Sequence, residues 1–102
     1  MQFYLISDNT DTMVGMRLAG VRGEVVHDAL ALRRALEKAM EDPKVGIVLI
    51  TGKLMSLCRE EINRIKLVRQ SPLIVEVPDR HGGGDVSETL LSYVEEAIGV
   101  KL

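Results

Sequence analysis

Three groups of side chains in this 102-residue sequence have the types needed for chemistry, and each lacks a part. The first is the acidic pair Asp8 and Asp11, set just after an apolar run, with Lys53 beyond a later one. Phosphoacceptor receiver domains use such a pair to hold magnesium, but they also need a nucleophilic aspartate at the end of the third strand. That place holds Thr51, followed by Gly52. Without the carboxylate the metal loses a ligand and the phosphoryl group its acceptor, so the aspartates read as loop residues that cap a helix and satisfy turn amides.

The second group is His81-Gly82-Gly83-Gly84, which looks like the oxyanion-hole tetrapeptide of lipases and esterases, where backbone amides face a developing alkoxide. Its partner is missing: none of Ser7, Ser56, Ser71, Ser87 or Ser92 sits in a G-x-S-x-G turn. As a phosphate cradle the same stretch lacks its third glycine, and Asp85 repels an anion at the helix start. The third group is Cys58, His27 and His81, which show no ligand spacing such as H-x-x-x-H or C-x-x-C. Cys58 lies in an apolar stripe and reads as a small core hydrophobe. No catalytic set, cofactor site or metal site is expected.

The elements that carry these residues follow from periodicity. Phe3 to Ile6 is a continuous apolar run stopped by Ser7-Asp8-Asn9-Thr10-Asp11, a buried strand and its loop. A helix from about Thr12 to Ala19 follows, apolar at Met13, Met16, Leu18 and Ala19, weakened by Gly15 and stopped at Gly20. Glu24 to His27 is a short, partly polar strand suited to a sheet edge. Asp28 caps a helix running to about Glu41, with Ala29, Leu32, Leu36, Ala39 and Met40 on one face, and Asp42-Pro43 ends it. Val45 to Ile50 lacks alternation and reads as a central strand covered on both faces.

A helix is expected from about Lys53 to Arg69, striped by Leu54, Leu57, Cys58, Ile62, Ile65 and Val68. Its wet side carries Arg59, Glu60, Glu61, Arg64, Lys66 and Arg69, with Glu60 and Arg64 at i, i+4 spacing. Leu73 to Val77 is a fourth strand closed by Pro78, and Asp85 with Glu88 resembles a capping box opening a last helix that Gly99 ends. Strands alternating with helices imply a three-layer α/β/α domain with a four-stranded parallel sheet, order 2-1-3-4, the flavodoxin/receiver-like topology. Ligands in such a sheet bind where the order reverses, beside residues 7–11 and 51–53.

Composition narrows the classes. A net charge of -2 and an aromatic content of 3% exclude a basic nucleic-acid module and a base-stacking platform. No apolar run approaches the ~20 residues of a membrane span. One cysteine builds no disulfide framework, and no charged-then-apolar leader precedes the first strand, so a cytoplasmic protein of one domain, residues 1–102, is expected. A small sheet with two open edges and no assembled catalytic set favours a docking module.

The motifs taken together resemble a known family. Asp8 to Thr12, leading into Gly15-Met16-Arg17-Leu18-Ala19-Gly20, is similar to the opening of the F subunit of V-type and archaeal-type ATP synthases. Val45 to Thr51 looks like that family's third strand, Leu73 to Gly82 like its fourth strand and loop, and Tyr93 to Leu102 like its closing segment. Met16 departs from it where an aromatic is common, and Asn9 interrupts an acidic run.

The resemblance implies a non-catalytic central-stalk component of a rotary ATPase. It would bind the coiled coil of the D subunit of that stalk, and through it be tied to the catalytic hexamer of A and B subunits and to the membrane rotor sector, while remaining peripheral to the membrane itself. It implies that the C-terminal helix and the adjacent sheet edge contribute to the interface with the D subunit, for which Ser92, Tyr93 and Glu96 are the candidates, with Arg80 and His81 as a regulatory loop. The residues alone leave two other readings open: a receiver-like signalling domain that has lost phosphorylation, and a small-ligand-binding module with a pocket next to Thr51.

Overall fold

The apolar runs become strands and the striped segments become helices, in the order β1 (Gln2–Ser7), α1 (Thr10–Leu18), β2 (Arg22–Val25), α2 (Ala29–Glu41), β3 (Val45–Thr51), α3 (Gly52–Leu57), α4 (Arg59–Val68) and β4 (Leu73–Val77). The computed structural model describes residues 2–78. The expected last helix and its Asp85–Glu88 box lie outside the described residues, as do Arg80, His81, Ser92, Tyr93 and Glu96.

The strands form one sheet in the expected order, β2-β1-β3-β4, with every pair parallel. Its register sets Leu5 beside both Gly23 and Leu49, and Thr51 beside Val77. Successive strand residues point to opposite faces, and two separate cores result. One packs α2, α3 and α4 over Ile6, Val48, Ile50 and Ile74. The other packs Met13 and Met16 of α1 with Leu5, Ile47, Leu49 and Val77. Helices on both faces make the fold three-layered. Among the described residues no helix is long and apolar enough to cross a membrane.

Local chemistry explains the ends of α1. It begins two residues before the expected Thr12, because the Asn9 side chain accepts a hydrogen bond from the Thr12 amide at 2.7 Å and so caps the helix from the loop. It stops in a Schellman turn. The Gly20 amide donates to the Arg17 carbonyl and the Val21 amide to that of Met16, with Gly20 at φ +89°. Val21 then folds back onto the same core as Met16. The expected apolar face of this helix is corrected at its end, where Leu18 is 82% exposed and Ala19 is exposed too, since Leu18 stands two residues past Met16 and so on the far side of the helix.

Two boundaries differ from expectation. Strand β2 lies about two residues earlier, at Arg22–Val25, because its register against β1 starts at Tyr4 and Arg22 and its last ladder partner is Ser7. The single helix expected over 53–69 is two, broken at Cys58, whose backbone leaves helical geometry at φ -133°, ψ 36°. Leu54, Cys58 and Ile62 are buried as the stripe requires, yet Leu57 and Val68 are exposed. The buried line runs through Leu54, Cys58 and Ile62, four residues apart across the break, and Leu57 and Val68 fall to the side of it.

Gly23 is where two backbones come closest. A Cβ there would overlap the Leu5 carbonyl oxygen and stand 2.8 Å from the Leu5 Cβ, so only glycine lets β2 lie at this distance from β1.

Candidate functional site

The reversal of strand order between β1 and β3 brings Ser7, Asp8 and Thr51 together at the carboxyl end of the sheet, as the topology demands. The side chains there bind one another. Thr51 Oγ1 donates to Asp8 Oδ1 at 2.8 Å and accepts from the Asp8 amide at 3.2 Å. Ser7 Oγ donates to the Asn9 carbonyl at 2.8 Å and accepts from the Asn9 amide at 3.0 Å. The Asn9 side-chain amide also leans on Asp8 Oδ1 at 3.4 Å. Ser7, Thr12 and Thr51 are fully buried, and among the described residues no buried side-chain polar atom lacks a hydrogen-bond partner.

This arrangement decides between chemistries. Thr51 occupies the position of a receiver's phosphoacceptor, and its hydroxyl has no exposed surface for a phosphodonor to reach. The Asp8 carboxylate that would face a metal is turned onto that hydroxyl. Asp11 stands apart, exposed in the first turn of α1 where its charge suits the helix dipole. Lys53 is exposed on α3. Among the described residues no cluster of His, Cys, Asp and Glu could hold a metal ion. Cys58 is buried in the α2–α4 core, while His27 is exposed in the loop after β2.

Two features escaped the sequence pattern. The Tyr4 hydroxyl donates to Glu24 Oε2, which also receives Lys38 Nζ at 3.3 Å, so β1, β2 and α2 meet in one polar chain. Burial first, and then the hydrogen bond and negative charge of Glu24, push the Tyr4 phenol up to about 12. Across the other edge of α2, Arg33 clasps Glu61 of α4 with Nε and Nη2, at 2.7–3.0 Å. That clasp holds the Arg33 guanidinium above its ordinary range and the Glu61 carboxyl below its own. Both residues line a groove of about 270 Å³ between the two helices, together with the apolar Leu36, Met40 and Ile65 and the carboxylates Glu37 and Glu41. The only advance signal was that Arg33 and Glu61 flank the apolar stripes of their helices; intrahelical spacing had favoured Glu60 with Arg64 instead.

The family described as "ATP synthase (F/14-kDa) subunit" matches residues 4–94 of the sequence. The chain belongs to that family. Relatives in the family agree over almost their whole length. The F subunit of the A-type ATP synthase of Thermococcus kodakarensis is 36% identical over 107 aligned positions, covering 100% of this chain and 98% of that protein. Its counterpart from Pyrococcus furiosus is 33% identical, covering 96% and 95%. That of Methanocaldococcus jannaschii is 28% identical, covering 90% of each. Met16 falls on a fully buried position of the α1-side core.

Proposed function

We propose that this chain is a non-catalytic central-stalk component of a V/A-type rotary ATPase or ATP synthase, which grips the coiled coil of the D subunit and helps couple ion translocation to ATP synthesis or hydrolysis. The observation that carries the reading is the end-to-end match to proteins named as F subunits of A-type ATP synthases, with neither chain left with a large unmatched part. The closed carboxyl end of the sheet supports it: where a doubly wound fold would take a ligand, Thr51 and Asp8 satisfy each other instead.

On this reading the protein works in the cytoplasm, against the membrane sector but outside the bilayer, and it needs no cofactor. Nucleotide chemistry belongs to the A/B hexamer. A part that turns with a shaft must stay bound through many turns, so a slow dissociation rate matters more than fast association. Ser92, Tyr93 and Glu96 are the proposed contacts with the D subunit, and Arg80 and His81 the proposed regulatory loop.

The test is gel filtration of this protein mixed with the purified D subunit. One co-eluting peak is expected, and Tyr93→Ala combined with Glu96→Lys should weaken the complex by about 2 kcal/mol or more, as loss of interface anchors does. Separate peaks in every buffer would overturn the proposal. Calorimetric affinity unchanged in the double variant would remove those residues from the interface. Magnesium-dependent labelling by acetyl phosphate would instead favour a receiver-like domain.

A further inference from the structure

The second half of α4 and the turn after it carry exposed side-chain charge of one sign beside exposed apolar side chains. From Ile62 to Val75 there are three cations, Arg64, Lys66 and Arg69, and no carboxylate, although the protein as a whole is net negative at -2. Arg64, Lys66 and Arg69 are all exposed. Among them stand Leu67, 87% exposed, and Val68, 79% exposed, with Leu73 at 45% where β4 begins. Scattered apolar residues on a surface need no explanation, but three within seven positions, ringed by charge of one sign, do. The helix itself buries only Ile62.

The surface has relief. An open depression of about 340 Å³ is lined by Glu61, Arg64, Ile65, Val68 and Arg69. Glu61 is already clasped by Arg33, so the charge left facing outward is positive. Arg69 reaches the Met40 carbonyl at 3.5 Å, a weak hold that a carboxylate would displace. Ile65 and Arg69 also line the groove between α2 and α4, so the two hollows adjoin.

We infer that this face of α4 docks an acidic, amphipathic helix of a partner protein, whose apolar side chains enter the hollow beside Ile65 and Val68 while its carboxylates meet Arg64 and Arg69. Helices seat in grooves through residues at i, i+3, i+4 and i+7, and flanking charge sets which helix is accepted. A second copy of this chain would bring the same three cations against these, so self-association is disfavoured. An anionic membrane is the poorer fit, because surfaces held by lipid charge carry clusters of roughly four to eight basic residues. The site goes beyond the proposed grip on the stalk coiled coil, whose contacts are assigned to another part of the sequence.

The probe is a 20-residue helical peptide with leucines at i, i+3, i+4 and i+7 flanked by glutamates, compared with the same peptide carrying lysines. Fluorescence anisotropy on the full chain should show saturable binding of the glutamate peptide, at least tenfold weaker for the lysine peptide and weakening as salt rises. Arg64→Glu with Arg69→Glu should reverse that preference, and Leu67→Ser with Val68→Ser should weaken both peptides; circular dichroism checks that each variant is folded. Equal binding of the two peptides, or variants that bind like the parent, would overturn the inference. So would co-sedimentation with phosphatidylglycerol vesicles that Arg64→Glu abolishes while the peptide fails to bind, or a concentration-dependent dimer lost in Leu67→Ser. Binding of the D subunit, measured by gel filtration in the same variants, should be unchanged, and its loss would refute a second surface.

Discussion

Gly23→Ala tests how the β2 edge is held. The added methyl would overlap the Leu5 carbonyl oxygen and lie 2.8 Å from the Leu5 Cβ and 2.9 Å from its carbonyl carbon. Carbon atoms attract one another best at about 3.5–4.0 Å, so all three approaches are repulsive. The atoms in the way are mostly backbone, and no rotamer change relieves the clash. β2 must move off β1, loosening a ladder that runs from Tyr4 with Arg22 to Ser7 with Val25, and the bond from the Val26 amide to the Ser7 carbonyl.

Overpacking of this kind costs about 1–3 kcal/mol, and the displaced ladder puts the expected loss at the upper end, about 3 kcal/mol. For a domain near 100 residues each kcal/mol lowers Tm by roughly 4–8 °C, so a fall of more than about 10 °C is expected. The assay is urea and thermal unfolding followed by far-ultraviolet circular dichroism. Gly20→Ala is the internal comparison, because nothing lies within 4 Å of that Cβ and its cost comes only from the left-handed backbone at φ +89°. That cost is about 1–2 kcal/mol. If Gly23→Ala proves no more destabilising than Gly20→Ala, the close approach of β2 to β1 does not constrain the fold and the reasoning fails.

Two further predictions concern the polar contacts. Thr51→Val preserves shape but removes both the donor to Asp8 Oδ1 and the acceptor of the Asp8 amide, and urea unfolding should show a loss of about 1–2 kcal/mol; a change below about 0.5 kcal/mol would mean the contact contributes nothing to holding β1 and β3 together. The Tyr4 phenol has a folded-state pKa raised to about 12 from 10.0, so the folded state favours its neutral form. Its stabilising contribution is full below pH 10 and is lost as pH climbs towards 12. The stability gap between parent and Tyr4→Phe should therefore close across that window, and parallel pH profiles for the two proteins would refute the assignment.

The fold was legible because its strongest signals were local and mutually consistent. Val45 to Ile50, apolar without alternation, could only be a strand covered on both faces, and strands separated by helices leave little choice but parallel pairing. The break at Cys58 was not legible. No Gly or Pro marks it, and Leu54, Cys58 and Ile62 keep a helical spacing across it, so the sequence pattern runs on where the backbone does not. β2 was placed late because its residues are polar at one end and its position is set by pairing with β1, a tertiary constraint invisible to a local pattern.

At the carboxyl end of the sheet, residue types showed what Thr51 cannot do, but its bond with Asp8 joins positions 43 apart. Only the fold brings them together. The Arg33–Glu61 clasp has the same origin, since the chain separates by 28 positions what the α2–α4 groove makes adjacent.

The order of the strands also sets the order of events when the chain is made. β1 is made before both of its neighbours in the sheet, and Phe3 has no partner on its β3 side until Ile47 has been added. The nascent chain therefore carries a half-satisfied apolar strand until β3 has been added, with only the β2 side available for early pairing. Closing so long a loop is slow compared with local helix formation. Any factor that shelters nascent apolar segments thus has a long engagement with β1.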